Sequence, residues 1–270
     1  MNPTEQIRCL NGILLDEMPE YQSQAAGFPE DEAAQRRLLR SLMNVRPPMP
    51  LRRDFITLQD ALLAAEREAK GVVEAECLPA VASHSKISLW QGDITRLRAD
   101  AIVNAANCAL LGCFHPCHGC IDNAIHSAAG LQLRGECAAL MAAQGHPEPN
   151  GRARLTKGYN LPARYVLHTV GPIVGRRATR QDREELAGCY HACLQLAAER
   201  GLASVAFCCI STGEFHFPNE EAAEIAVSTV TEFLAQDTSI KKVIFNVFKD
   251  LDLNIYRALL GPDRAAEAGA

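Results

Sequence analysis

The chain has 270 residues, 48% of them hydrophobic and 22% charged, with a net charge of -5. That is the size and composition of an ordinary globular protein of one large domain or two small ones. An acidic balance argues against a broad surface for a phosphate backbone, so no DNA partner is expected, although a local cationic pocket is allowed.

Residues 1–9 are polar and no apolar run follows them, so no secretory signal is expected. No stretch approaches the roughly 20 apolar residues of a membrane span. The expectation is a cytoplasmic, reducing setting with no membrane partner. There the eleven cysteines read as core thiols or metal ligands rather than disulfides. Residues 1–82 are expected to form a helical N-terminal extension without strands. Glu30–Val45 carries Leu39, Leu42 and Met43 at helical spacing, and Pro47, Pro48 and Pro50 end it. A second helix is expected over Phe55–Glu76, started by Arg53-Asp54. The first eighty residues hold nine Lys and Arg against thirteen Asp and Glu, so four of the five excess negative charges lie in this segment. It reads as a cap packed on the next domain.

After Cys77-Leu78-Pro79 the pattern changes. Lys86–Trp90 alternates as a strand does, Gln91–Thr95 turns, and Ala99–Asn104 is a short buried-strand run. One helix is expected over Ile121–Ala143, then strands over Gly151–Tyr159 and Tyr165–Val170. A helix over Asp182–Arg200 precedes a buried strand at Ser204–Ile210. A helix over Asn219–Gln236, a last strand at Lys242–Val247 and a helix over Asn254–Leu260 follow. Residues 263–270 read as a flexible tail. Strands alternating with helices predict an α/β domain over 83–262 with a largely parallel sheet. Ligands bind such sheets at the carboxyl ends of strands. The loops Ala105–Cys120 and Ser211–Pro218 both follow buried strands and are expected to converge.

Five stretches carry chemistry. Asp93 after a strand can accept from an exocyclic amine, or can simply close an Asx turn. Asn104 and Asn107 place two carboxamides at a strand end, where they suit sugar hydroxyls or a turn. Ser211–Phe217 can offer backbone N–H groups to a diphosphate, with Gly213 permitting close approach, or serve as a plain strand-to-helix loop. Phe248 can cover an aromatic base or sit at the core edge. Cys113, His115, Cys117, His118 and Cys120 fall within eight residues, a density that packing does not require. Thiolates and imidazoles so spaced suit zinc. Three ligands would leave an open catalytic position, and four would close the site. Pro116-Cys117 with Cys120 also matches half of a zinc nucleobase deaminase pattern, but no His-x-Glu precedes it. His126, His168 and the cysteines 137, 189, 193, 208 and 209 read as core residues.

GDIT, ADAIVNAAN, AIHSAAG, ISTGEFHFP and VFKD occur in that order between about Lys86 and Leu260. Together they resemble the macrodomain family. The resemblance implies a three-layer α/β/α macrodomain with a mixed, largely parallel central sheet, plus the α-helical N-terminal extension. Common hydrolytic macrodomains run glycines into an Asp-containing helix start. This chain has Cys113–Cys120 there, followed by Ile121-Asp122-Asn123. With NVRPPMP at Asn44–Pro50, it is similar to the zinc-dependent microbial subgroup, which removes mono-ADP-ribose from protein side chains, typically acidic ones.

What this implies, residue by residue, is as follows. Asp93 would hold the adenine amine and Ile94 would lend its backbone. Asn104 and Asn107 would orient the distal ribose. Ser211, Thr212, Gly213, Glu214, Phe215 and Phe217 would cradle the diphosphate, and Phe248 would lie against adenine. Cys113, His118 and Cys120 would hold Zn2+, with Cys117 left out as a variable position. Asn107 and Asp122 would join them in catalysis, Asp122 by holding a water. The implied partners are ADP-ribose and mono-ADP-ribosylated proteins. Some bacterial relatives pair with a sirtuin-type ADP-ribosyltransferase and a lipoyl-carrier protein. The alternative is a non-catalytic ADP-ribose reader with a structural zinc.

Overall fold

Six short apolar strands make the main sheet: β2 (Ile87–Gln91), β4 (Ala101–Ala105), β5 (Ala153–Lys157), β6 (Tyr165–Thr169), β7 (Ser204–Phe207) and β8 (Lys242–Val247). The computed structural model describes residues 2–236 and 238–263. The tail expected at 263–270 lies outside them except for Asp263, which forms a bridge with Val81. The strand order is β2-β8-β7-β4-β6-β5. All neighbours are parallel except β5 and β6. The central strands β4, β7 and β8 are buried along nearly all of their length, as strands covered on both faces must be. The covering helices are α5 (Ile121–Ala129), α6 (Leu131–Gln144), α7 (Arg180–Glu199), α8 (Asn219–Leu234) and α9 (Asp250–Leu260). This is the mixed, mostly parallel α/β architecture expected.

The N-terminal helices are α1 (Pro3–Glu17), α2 (Gln22–Ala25), α3 (Glu32–Val45) and α4 (Arg53–Lys70). Helix α1 begins with a capping box, Asn2 and Glu5 each accepting from the other's backbone, with Pro3 in the first turn. Asp31 caps α3. These helices have their own apolar core, built on Leu10, Leu14, Leu39, Leu42 and Phe55, and Leu131 of α6 joins it. Arg46 seals the proline stretch from within: its guanidinium donates to the carbonyls of Pro47, Met49 and Pro50 and pairs with Glu17.

Several boundaries differ from expectation, three of them with a visible cause or consequence. The helix expected to reach Glu76 ends at Lys70, because Gly71 turns it at φ 77. Beyond it, β1 (Val73–Glu74) pairs with β3 (Leu97–Arg98) in a segment expected to hold no strand. The helix expected over Ile121–Ala143 is two helices. Gly130, at φ 93, breaks it, and the freed Leu131 amide donates to Gln59 Oε1 of α4 at 2.8 Å. Helix α9 starts at Asp250 rather than Asn254, with Asp250 and Asp252 in its first turn.

Candidate metal centre and ligand cleft

A cleft of about 620 Å³ opens at the carboxyl ends of β2, β8, β7 and β4. Strands β2 and β4 stand three places apart, about 14 Å at ~4.8 Å per step. The cleft is therefore long in the direction across the sheet. Asp93 and Ile94 line one end, after β2. Asn107, Cys113, His118, Cys120 and Asp122 line the other, after β4. Ser211–Phe215 and Phe248 complete the wall between them, so the two loops expected to converge do so.

The segment leading into Cys113 is shaped by Asn107. Asn107 Oδ1 accepts from Ala109 N at 3.0 Å, and its Nδ2 donates to the Gly112 carbonyl at 3.1 Å. Gly112 lies at φ 81, and a Cβ there would stand 2.9 Å from His126 Cγ, so the turn needs glycine. Cys113 Sγ lies 3.7 Å from His118 Nδ1. One ligand atom each from Cys113, His118 and Cys120 fall within 4.8 Å of one another. A tetrahedral zinc with bonds of roughly 2.0–2.3 Å sets such edges at about 3.5–3.8 Å, so the donor set and spacing fit that ion. Cys120 also caps α5, its Sγ accepting from Asn123 N at 3.4 Å. Burial above all, with Cys113 and Asp122 adding, pushes its thiol up to about 12. A bound cation would reverse that balance.

The other two candidate ligands are placed elsewhere. Cys117 sits at φ 53, with its Sγ 3.4 Å from Ser41 Oγ and 3.6 Å from the Arg37 carbonyl on α3. His115 stands edge-on to the His118 ring at 5.3 Å between centroids. Neither belongs to the grouping of Cys113, His118 and Cys120.

Asp122 is nearly fully buried yet reaches the cleft wall. Its Oδ1 accepts from Asn104 Nδ2 at 2.8 Å, and its Oδ2 lies 3.4 Å from Asn107 Nδ2. Burial raises its pKa to about 6, against the lowering pull of the Asn104 bond and of Arg134. Asn104 itself is 0% exposed and shares its amide with His168 Nδ1 at 3.2 Å. Side chains alternate faces along a strand, and Asn104 points under α5 rather than into the cleft. Asn104, expected to orient the distal ribose, here bears on Asp122, which lines the cleft. Phe217, expected to help cradle the diphosphate, also stands back from the cleft surface. It is 1% exposed and part of the core, because its amide bonds the Ser211 carbonyl at 2.9 Å and folds the loop back on itself.

The remaining expected residues lie on the wall. Asp93 Oδ1 accepts from Thr95 N at 3.0 Å and Thr95 Oγ1 at 2.7 Å, an Asx turn at the cleft edge. Ser211, at φ 64, has a buried Oγ without a hydrogen-bond partner among the described residues. A buried hydroxyl left so costs free energy unless a ligand completes it. Gly171 is needed opposite, since a Cβ there would lie 2.0 Å from Ser211 Oγ. Thr212, Gly213 and Phe215 line the middle of the cleft, and Phe248 stands at its rim, 75% exposed. Glu214 Oε1 reaches across to within 3.6 Å of His118 Nε2.

Sequence reasoning missed the supports. Asn246 Nδ2 donates to the Gly92 carbonyl at 2.9 Å and steadies the Asp93 turn. Asn123, Arg40 and Asn44 brace the Cys113–Cys120 loop. Of these, Asn44 lies in the NVRPPMP stretch and Asn123 follows Asp122, but nothing marks Arg40. His168, expected in the core, is there. It bonds Thr156 Oγ1 at 2.9 Å, and burial brings its pKa down to about 3. Among the described residues, no helix is long and apolar enough to cross a membrane.

The Macro domain family model matches residues 103–226, the span holding the Cys113–Cys120 loop, α5 and Ser211–Phe217. A protein-ADP-ribose hydrolase of Treponema medium is 49% identical over 249 residues, 92% of this chain and 95% of its own length. One of the same description from Staphylococcus aureus (strain MSSA476) is 48% identical over 227 residues, 84% of this chain and 85% of its own. A solved Trypanosoma brucei macrodomain in complex with ADP-ribose is similar with a TM-score of 0.65 and 33% identity. That likeness covers 82% of this chain and 95% of the other.

Proposed function

The chain belongs to the Macro domain family, and on that premise we propose that it is a hydrolase removing mono-ADP-ribose from modified protein side chains. Asp and Glu esters are the proposed acceptors, ADP-ribose the product and Zn2+ the metal. One observation carries the reading: Cys113, His118 and Cys120 converge at the same end of a long cleft as Asn107 and Asp122.

The chain's own residues divide the work along the cleft. Asp93 and the Ile94 backbone would receive the adenine edge, with Phe248 free at the rim to close over the ring. The curled backbone of Ser211–Phe215 suits a diphosphate. That curl is pinned by Phe217 N on the Ser211 carbonyl and Val174 N on the Phe215 carbonyl. The unpartnered Ser211 Oγ would donate to a phosphate oxygen. Adenine at Asp93 and diphosphate on this loop leave the distal ribose at Asn107 and Asp122. There Asp122, fixed by Asn104 and Asn107, is placed to hold a water and accept its proton as the sugar–acyl bond opens. Zinc on the three ligands would add a Lewis acid and an acidified water beside that bond. A sirtuin-type ADP-ribosyltransferase that supplies the modification and a lipoyl-carrier protein that bears it are the partner classes proposed with this activity.

Incubation with a mono-ADP-ribosylated protein tests the reading. Release of ADP-ribose is expected from the wild-type chain, and its loss after complete zinc removal and in Cys113→Ala and His118→Ala. Tight ADP-ribose binding without release would make the protein a reader.

A further inference from the structure

The metal loop is bent from outside. Within Cys113–Cys120 the backbone makes one bond of its own, His118 N to the His115 carbonyl at 3.2 Å. Cys117 holds φ 53, a conformation that costs a non-glycine residue on the order of 1 kcal/mol or more and persists only where neighbours enforce it. The enforcing neighbour is α3. Asn44 Oδ1 accepts from Cys117 N at 2.9 Å, and Ser41 Oγ lies 3.4 Å from Cys117 Sγ. One turn away, Arg40 Nη2 donates to the His118 carbonyl at 3.3 Å and to Asn123 Oδ1 at 2.8 Å, and its Nε also reaches Asn123 Oδ1 at 3.2 Å. Asn123 passes the constraint on. Its Nδ2 donates to the His115 carbonyl at 3.0 Å, and its amide donates to Cys120 Sγ at 3.4 Å. Arg134 of α6 fastens the same end of α3, donating to the Met43 and Asn44 carbonyls at 3.0 and 2.9 Å.

We propose that α3 is a clamp for the metal loop, with Arg40 and Asn44 as positioning residues that set the separation of Cys113, His118 and Cys120. This rests on the reading of those three as metal ligands. The geometry makes the clamp selective. It holds Cys117 out of the cluster by turning its side chain toward α3, and it fixes His118 through its carbonyl and Cys120 through Asn123. The N-terminal helices are thereby part of the metal site rather than a separate cap. Groups behind a ligand shell normally carry about 10–100-fold in metal affinity.

The test uses the full chain as wild type, Arg40→Ala, Arg40→Lys and Asn44→Ala. Two quantities are followed: the rate of zinc transfer to a chromophoric chelator, and amide hydrogen exchange at Cys117, His118 and Asn123 in zinc-free protein. Arg40→Ala is expected to release zinc about 10–100-fold faster and to speed exchange at those amides while β4 and β7 amides keep their wild-type rates. Arg40→Lys should fall between, since it keeps a donor but loses the planar fork. Asn44→Ala should act most on Cys117. Wild-type release and exchange rates in both alanine variants would overturn the proposal. So would faster exchange spread evenly over the sheet, which is general destabilisation. A wild-type chain that takes up no zinc would sink the metal reading alone, and loop exchange would still decide the clamp.

Discussion

Glu214 carries a negative charge on a loop otherwise suited to an anion, and its position suggests a use for it. His118 turns Nδ1 toward Cys113 and Nε2 toward Glu214 Oε1 at 3.6 Å. A carboxylate beside the far nitrogen of an imidazole favours the N–H on that side and leaves the near nitrogen for a metal. Glu214→Gln, which removes the charge and keeps the shape, is expected to weaken zinc retention by about 10-fold in chelator competition at fixed pH; unchanged retention would leave Glu214 a loop residue only. Asp122→Asn should lower kcat by about 100-fold or more, the range of a lost proton acceptor, with zinc content measured by metal analysis unchanged. His168 makes a prediction about pH. Burial lowers its pKa from 6.5 to about 3, so the unfolded chain binds a proton there that the folded chain does not. That contribution to stability is complete above about pH 6.5 and is lost as pH falls toward 3. Between pH 7 and pH 5 the wild-type unfolding midpoint should fall relative to that of His168→Gln, which lacks this contribution. At this scale the sequence revealed residues whose type is rare in bulk packing, above all the clustered Cys and His. It did not reveal that Asn104 and Phe217 are buried, because adjacency in a motif says nothing about which face of a strand or loop a side chain takes.

Elements were legible where apolar runs are long. The buried strands β4, β7 and β8 and the amphipathic α3 stand out because their periodicity spans several residues. The two-residue strands β1 and β3 have no period to read, and their pairing joins segments more than twenty residues apart. The break between α5 and α6 depends on Gln59, seventy-two residues before the amide it receives. Gly130 makes that break testable. At φ 93, and with a Cβ position 2.5 Å from Gln59 Nε2, Gly130→Ala should destabilise the chain by roughly 1–3 kcal/mol, read as a lower midpoint in denaturant. An unchanged midpoint would mean that the helix junction relaxes freely.

On the scale of the whole molecule, the α/β/α plan and the cleft at the strand ends follow from strand and helix alternation, which is why both were readable in advance. What was not readable is how two apolar cores share one site. The N-terminal core includes Leu131 of α6, and α3 meets the metal loop through Arg40 and Asn44. Such contacts join residues some eighty positions apart and leave no local signature. The proposed function has zinc at Cys113, His118 and Cys120 serving removal of ADP-ribose. It is tested most directly by stripping the chain of zinc, titrating zinc back, and measuring ADP-ribose release from a mono-ADP-ribosylated protein at each occupancy. Release is expected to rise in proportion to bound zinc and to level off at one ion per chain; release from the stripped chain at the full rate would rule out a role for zinc.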